Sequence, residues 1–267
     1  MEKSQFQSEK MQKSESKPGL AIATIFAVIG TFVANSLSNF FPLGGQNVGE
    51  IANTRLAGVL ITPANYAFII WGVIYVGLIA YSVYQLQPTQ QKNPELWRSN
   101  KLLIVACIAQ IIWIFCFTLK LFALSILPML VILLSLLVIY INLGFDKARL
   151  SWQQRWFVRV PFSIYTAWIS VATIVNVASA LYASGWNGLG LSDALWTAII
   201  LMVGGLVAGY MALTYRDVPF VLVFAWAYAA IAARHSDISI IWITAIVVIL
   251  LLFGLLAIAR LFQLRKT

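Results

Sequence analysis

Aromatic rings recur at helical spacing along this chain, and polar tips accompany them. Trp71 and Tyr75 are four residues apart, so on a helix they share one face. Gln110, Trp113 and Phe117 follow at spacings of three and four, again a single face. A third stripe runs through Tyr165, Trp168, Ala172 and Asn176. In it Ala172 leaves space between a ring and an amide, where most helices would carry a bulky side chain. Such faces suit stacking on a flat apolar molecule, with one or two hydrogen bonds to its polar edge. They also suit an aromatic helix–helix core in which Gln110 and Asn176 bond across the interface. On spacing alone, the packing reading comes first.

Other chemistries find few residues. His235 is the sole histidine and stands beside Arg234 at a helix end, where it reads as a solvated or capping residue. Cys107 and Cys116 fall nine apart in one apolar segment, on different sides and within lipid, which argues against a disulfide or a metal site. The acidic residues are Glu2, Glu9, Glu15, Glu50, Glu95, Asp146, Asp193, Asp217 and Asp237, all in the tail, in connections or at segment ends. A chain without a buried carboxylate is expected, and Arg216–Asp217 reads as a surface pair worth little energetically. No lysine lies deep in an apolar run. No catalytic triad or zinc site can be assembled from this set, and ion-coupled transport lacks its usual intramembrane charge. No catalytic and no metal-ligating residue is assigned, and no cofactor is required.

The elements that must position these stripes are set by hydropathy. The chain is 61% hydrophobic and only 10% charged, with a mean hydropathy of +0.87, which excludes an ordinary soluble domain. Eight apolar runs are long enough to span a bilayer, at about 20–41, 64–85, 101–119, 122–143, 158–183, 193–213, 218–234 and 238–262. Lipid offers the backbone no hydrogen-bond partner, so these runs must be helices, and period-two alternation for a barrel is absent. The fold class is all-α: a polytopic membrane bundle of about eight transmembrane helices.

Charge orients it. With the N-terminus inside, 15 of the 18 Lys and Arg residues fall on cytoplasmic segments, leaving Arg55, Lys120 and Arg234 outside. Both termini are therefore expected in the cytoplasm, with the cell (inner) membrane as the location. The net charge of +9 is an orientation signal that anionic lipid would reinforce. Nucleic acid is not an expected partner, because the basic residues are dispersed over separate loops.

Residues 1–18 are polar and mixed in charge, and a disordered cytoplasmic tail is expected there. The next run could pass for a secretory signal, with Ala34-Asn35-Ser36 near its end, but it continues to Phe41 as an internal helix would. The longest connection, Pro42 to Pro63, is either a lid over a cavity or a plain surface loop. Ser192-Asp193 reads as a helix N-cap. Gly205 and Gly209 form a small-xxx-small step suited to close helix contact, within the chain in preference to a homodimer.

The stretch TPANYAFIIWGVIY (62–75) resembles the second-helix motif of the tryptophan-rich sensory protein family, TspO/MBR or translocator protein. That motif runs Pro-Pro-x-Trp-x-Phe-x-x-x-Trp-x-x-x-Tyr. Pro63, Trp71 and Tyr75 stand in place, Phe68 comes one position late, and Asn65 replaces the earlier tryptophan. Gln110, Trp113 and Phe117 match the third-helix pattern with Gln for Asn. Tyr165, Trp168, Ala172 and Asn176 match the fifth, with Ile164 at the proline position.

The resemblance covers about residues 20–185. It implies a TspO-like five-helix domain over 19–185, capped by the first loop, with three additional helices over 186–267. It further implies a tetrapyrrole such as protoporphyrin or heme as ligand, with Trp71, Tyr75, Gln110, Trp113, Tyr165, Trp168, Ala172 and Asn176 as the ligand-binding set. The expected function is a membrane receptor or carrier with a sensory or regulatory role, its partners a hydrophobic small molecule and membrane lipid, and a homodimer is allowed. The alternative is a passive transporter or scaffold whose aromatic stripes are structural. Photo-oxidation by a bound porphyrin is the one enzymatic chemistry the resemblance leaves open.

Overall fold

The structure, a computed structural model, describes residues 17–144 and 150–264. The expected tail falls outside these residues except for Lys17 and Pro18, and Pro18 already opens a helix. Asp146 also lies outside them. Among the described residues the secondary structure is helical, without strands. The elements are α1 (Pro18–Phe40), α2 (Val48–Asn53), a 3-10 turn (Asn65–Ile69) running into α3 (Ile70–Tyr84), α4 (Pro94–Thr118) and α5 (Phe122–Asn142). A π-helical stretch, Arg155–Arg159, leads into α6 (Val160–Ala183), followed by α7 (Asp193–Thr214), α8 (Val218–Arg234) and α9 (Ser239–Leu264).

Seven helical segments are long and apolar enough to cross a membrane, and α8 is a shorter apolar helix of 17 residues. All eight expected segments are thus helical. At 1.5 Å per residue α8 covers roughly 26 Å, a little under the hydrocarbon thickness. It tolerates this because it packs against α6, α7 and α9, with Val221, Phe224, Ala227 and Ile231 fully buried. The chain is an integral, multi-pass membrane protein.

Contacts at the helix ends define two faces. Gln85 donates to the Ala21 carbonyl at 3.3 Å, and the Lys17 ammonium lies 4.6 Å from the centre of the Trp97 ring. These belong to the face where α1 begins and α9 ends. On the opposite face Lys120 donates to the Gly44 carbonyl at 3.2 Å. There the first loop packs so closely on the end of α4 that a Cβ on Gly44 would lie 1.9 Å from the Thr118 oxygen. Among the described residues Lys17, Lys92, Arg98, Lys101, Arg155, Arg159, Arg216 and Arg260 lie toward the terminal face, against Arg55, Lys120 and Arg234 toward the loop face.

Several short polar side chains inside the helices are satisfied by the helix backbone itself. Thr24 and Thr31 donate to carbonyls one turn back, at 2.8 Å each. Tyr228 ties α8 to α7 through the Leu201 carbonyl at 2.7 Å. Ser192 caps α7 by accepting from the Leu195 amide at 3.3 Å, as its position ahead of the helix predicts. One continuous cluster of buried apolar side chains runs from Val28 of α1 to Leu256 of α9.

Gly205 and Gly209 meet α9. A Cβ on Gly205 would lie 2.5 Å from Val248 Cγ1, and one on Gly209 would lie 3.2 Å from Leu255 Cδ1. The small-residue stripe is consumed within the chain, and Val248 is β-branched and cannot swing aside. Gly205→Leu is expected to separate α7 from α9 at a cost of about 3 kcal/mol. The check is a lower midpoint of thermal unfolding in detergent, with Leu206→Ala on the exposed side of the same helix as the neutral control.

Three expectations need correcting. The first concerns Asp217, which is not part of a surface pair: it is 2% exposed, while its neighbour Arg216 is exposed. Arg216 adopts a left-handed φ of 51°, which reverses the chain and turns the following side chain inward. The Asp217 carboxylate accepts from Tyr140 Oη at 2.6 Å, from Ser163 Oγ at 2.7 Å and from the Phe220 amide at 3.2 Å. It is both the N-cap of α8 and the knot joining α5, α6 and α8. A carboxylate is therefore buried here, bonded by hydroxyls and an amide from elements far apart in sequence.

The cysteines are the second correction: Cys107 and Cys116 are free, as their spacing suggests, but both are buried inside the bundle, not facing lipid. The third is His235. It closes α8 as its C-cap, which is the capping alternative, but it is buried, not solvated, and it hydrogen-bonds the Thr62 backbone while its Nε2 has no partner. Burial, and then the adjacent Arg234 charge, lower its pKa, which keeps the ring neutral at neutral pH.

Candidate functional site

Two of the aromatic stripes close on one another because α3 packs on α6, with α1 joining α3 to α4 and α5 joining α4 to α6 in a ring. Trp71 stacks on Tyr75 at 5.9 Å between centroids and meets Trp168 edge-on at 6.4 Å. Phe68, on the 3-10 turn, meets Trp168 edge-on at 6.2 Å, and Trp113 lies 5.2 Å from Phe117. Between these rings and the first loop is a cavity of about 580 Å³. That lies within the range of small-molecule sites, roughly 300–1,000 Å³.

The cavity has a floor and a mouth of different chemistry. Trp71, Trp113, Phe117 and Trp168 form the floor with Val171, Ala172 and Val175. The mouth lies at the loop face and is built of amides: Asn35 and Asn39 from α1, Asn47 and Asn53 from α2 and its cap, and Asn65 from the 3-10 turn. Glu50 is the only charged lining residue, and its carboxylate is engaged by the Asn47 amide at 2.8 Å in a capping box. The loop therefore covers the cavity with a short, well-capped helix, the lid arrangement its length suggested.

The eight residues singled out by spacing and motif divide in two. Trp71, Trp113, Trp168, Ala172 and Asn176 line the cavity. Tyr75, Gln110 and Tyr165 do not: they form a buried network behind Trp71. Tyr75 Oη accepts from Asn35 at 3.0 Å and from Gln110 Nε2 at 3.2 Å, while Tyr165 donates to Gln110 Oε1. Asn176 reaches the cavity wall but spends its acceptor on the protein. Its Oδ1 accepts from Trp113 Nε1 at 2.7 Å and from Ser125 Oγ at 3.1 Å. For these four polar groups the aromatic-core reading holds.

Two other lining groups are left over. Trp168 Nε1 and Thr62 Oγ1 are buried and have no hydrogen-bond partner. A buried donor without a partner costs about 1–3 kcal/mol, but neither atom exposes surface to the cavity, so an acceptor reaches them only if side chains shift. Spacing did not point to Thr62, Asn53 or Phe68. Asn35 carried a signal, since an amide in an apolar run is costly unless it faces protein or a cavity.

The chain matches the family model described as TSPO-like protein over residues 21–258. It belongs to the TSPO-like protein family. No curated protein and no solved structure matches it. The family match runs through the last three helices of this TSPO-like protein as well as the first five. It therefore includes α8, which touches the 3-10 turn directly: Ala64 N donates to the Ala230 carbonyl and Trp226 Nε1 to the Ala67 carbonyl, both at 3.1 Å.

The lining can also be weighed against the tetrapyrrole that the resemblance implied. Its floor of indoles and aliphatic side chains fits a flat macrocycle. It contains no His, Cys, Met or Tyr to ligate a heme iron, so it fits a metal-free porphyrin better than a ligated heme. His235 and the two cysteines lie outside the lining.

Proposed function

We propose that this TSPO-like protein is a membrane receptor or carrier that holds an apolar planar ligand of the tetrapyrrole class in the cavity beneath its first loop, with a sensory or regulatory role. The observation that carries the reading is a cavity of about 580 Å³ with an aromatic floor and an amide-lined mouth. Trp71 supplies a face for stacking and Trp168, nearly perpendicular to it, a second apolar wall, while the amides at the mouth meet the polar edge. Asn176 acts by fixing the Trp113 ring. Both termini face the cytoplasm of the cell (inner) membrane, a placement supported by the excess of basic residues on the terminal face.

The second reading, a passive transporter or scaffold, is favoured by the self-satisfied Tyr75–Gln110–Tyr165 network, which needs no ligand.

Protoporphyrin titrated into the detergent-solubilised protein is expected to quench tryptophan fluorescence saturably at a defined stoichiometry. Trp168→Phe keeps an aromatic floor but removes the donor, and it is expected to weaken binding about tenfold. Asn176→Ala frees the Trp113 ring and weakens binding by a similar factor. The absence of saturable quenching, or identical curves for all three proteins, refutes the ligand reading and leaves the scaffold.

A further inference from the structure

Asn65 stands where the family motif has its first tryptophan, and the structure gives this departure a partner. Arg234, at the end of α8, reaches across the loop face to a segment more than 170 residues earlier. Its Nη1 donates to Asn53 Oδ1 at 2.8 Å and to the Pro63 carbonyl at 3.3 Å, and its Nη2 donates to the Ala52 carbonyl at 3.1 Å. Asn53 in turn donates through Nδ2 to Asn65 Oδ1 at 2.9 Å. Both asparagines line the mouth of the cavity, whereas Arg234 stands one layer behind them.

The direction of this chain of bonds is fixed by chemistry. A guanidinium has five N–H donors and no acceptor, so the group that meets it must be the Asn53 oxygen. The Asn53 amide nitrogen then faces Asn65, whose oxygen must accept. What remains at the rim is the Asn65 –NH₂, a donor polarised through two amides by a full positive charge.

A second observation points the same way. Thr62 Oγ1, three residues before Asn65, and Trp168 Nε1, packed edge-on against Phe68 of the same 3-10 turn, are buried lining donors without partners. The open rim presents the Asn65 donor, and two further unpartnered donors lie behind the same wall, where a side-chain shift brings them to an oxygen acceptor.

We infer that Asn65 contacts the ligand and reads an oxygen acceptor on its polar edge, a carboxylate or a carbonyl, and that Arg234 is a positioning residue that sets the sign of this contact. The α7–α9 extension thereby takes part in recognition: α8 supplies the charge that converts a rim amide into an oriented donor. This rests on the proposed ligand reading and adds to it which part of the ligand is read, and by what.

Two porphyrins of similar macrocycle separate the terms. Protoporphyrin carries two propionates, and octaethylporphyrin carries no oxygen. Dissociation constants for both are measured from the shift of porphyrin absorbance in detergent, for the wild type, Asn65→Ala, Arg234→Gln and Arg234→Lys. Asn65→Ala is expected to weaken protoporphyrin about tenfold and to leave octaethylporphyrin within about twofold. Arg234→Gln is expected to move the same ratio in the same direction by a smaller factor, because glutamine can present either an oxygen or a nitrogen to Asn53. Arg234→Lys, a donor-only side chain, restores most of it.

The dimethyl ester of protoporphyrin tells the acceptor: a loss for the free acid alone assigns a carboxylate, and an equal loss for acid and ester assigns a carbonyl oxygen. Octaethylporphyrin binding also reports that each variant retains its fold. An unchanged ratio of the two affinities in Asn65→Ala overturns the inference while leaving the ligand reading in place. Failure of the wild type to bind either porphyrin overturns the ligand reading itself, and this inference with it.

Discussion

Asp217→Ala is expected to destabilise the protein by about 4 kcal/mol. The carboxylate is 2% exposed and accepts from Tyr140, Ser163 and the Phe220 amide. Removing it strips α8 of its N-cap and takes a buried acceptor from the Tyr140 and Ser163 hydroxyls, each lost hydrogen bond to the charged group costing about 1.5–3 kcal/mol. Asp217→Asn keeps one acceptor oxygen and an N-cap, and is expected to lose about half as much. The measurement is the thermal unfolding midpoint in detergent, combined with a double-mutant cycle. Tyr140→Phe should cost about 1–2 kcal/mol in the wild type and clearly less in the Asp217→Ala background, because the Tyr140–Asp217 hydrogen bond has gone. Additive losses would show that the two side chains do not act through one another. Since the knot joins α5, α6 and α8, the same variant should also raise proteolytic nicking at the terminal face.

Ala172→Trp is expected to reduce protoporphyrin binding about a hundredfold or more, equivalent to about 2.7 kcal/mol or more. Ala172 lies on the cavity floor one turn after Trp168, and its small side chain faces open volume. An indole there fills space without displacing backbone, so the fold should survive with an unchanged unfolding midpoint. Binding is best followed by porphyrin absorbance, because the variant adds a fluorophore. Ala172→Ser adds a single oxygen and should leave affinity within about threefold, which distinguishes filling from polarity. Retention of wild-type affinity by Ala172→Trp would move the ligand out of this cavity.

The family resemblance and the stripes led to the floor of this site but not to its mouth. Trp71, Trp113, Trp168, Ala172 and Asn176 share helix faces by spacing, and once α1 and α5 close α3, α4 and α6 into one ring those faces converge. Tyr75, Gln110 and Tyr165 lie on the same faces, one layer further in, where they bond to each other. Spacing shows which residues share a face but does not give depth along the helix. The mouth is assembled from α1, the loop helix, the 3-10 turn and α8, which have no common period. Its amides look unremarkable until they are seen together.

What the chain determined by itself is its eight apolar helices, their caps and their orientation signal. These rest on interactions within one segment: backbone bonds that lipid obliges each run to close internally, and end groups such as Ser192 that satisfy the nearest amides. What only the tertiary structure decided is where the polar groups between segments find partners. Asp217 is buried because hydroxyls 77 and 54 residues away meet it, and Asn176 is held by a tryptophan 63 residues earlier. Arg234 sets the direction of an asparagine pair whose first member lies 181 residues before it. Each such group must be paired once it leaves water, and the sequence records the need without naming the partner.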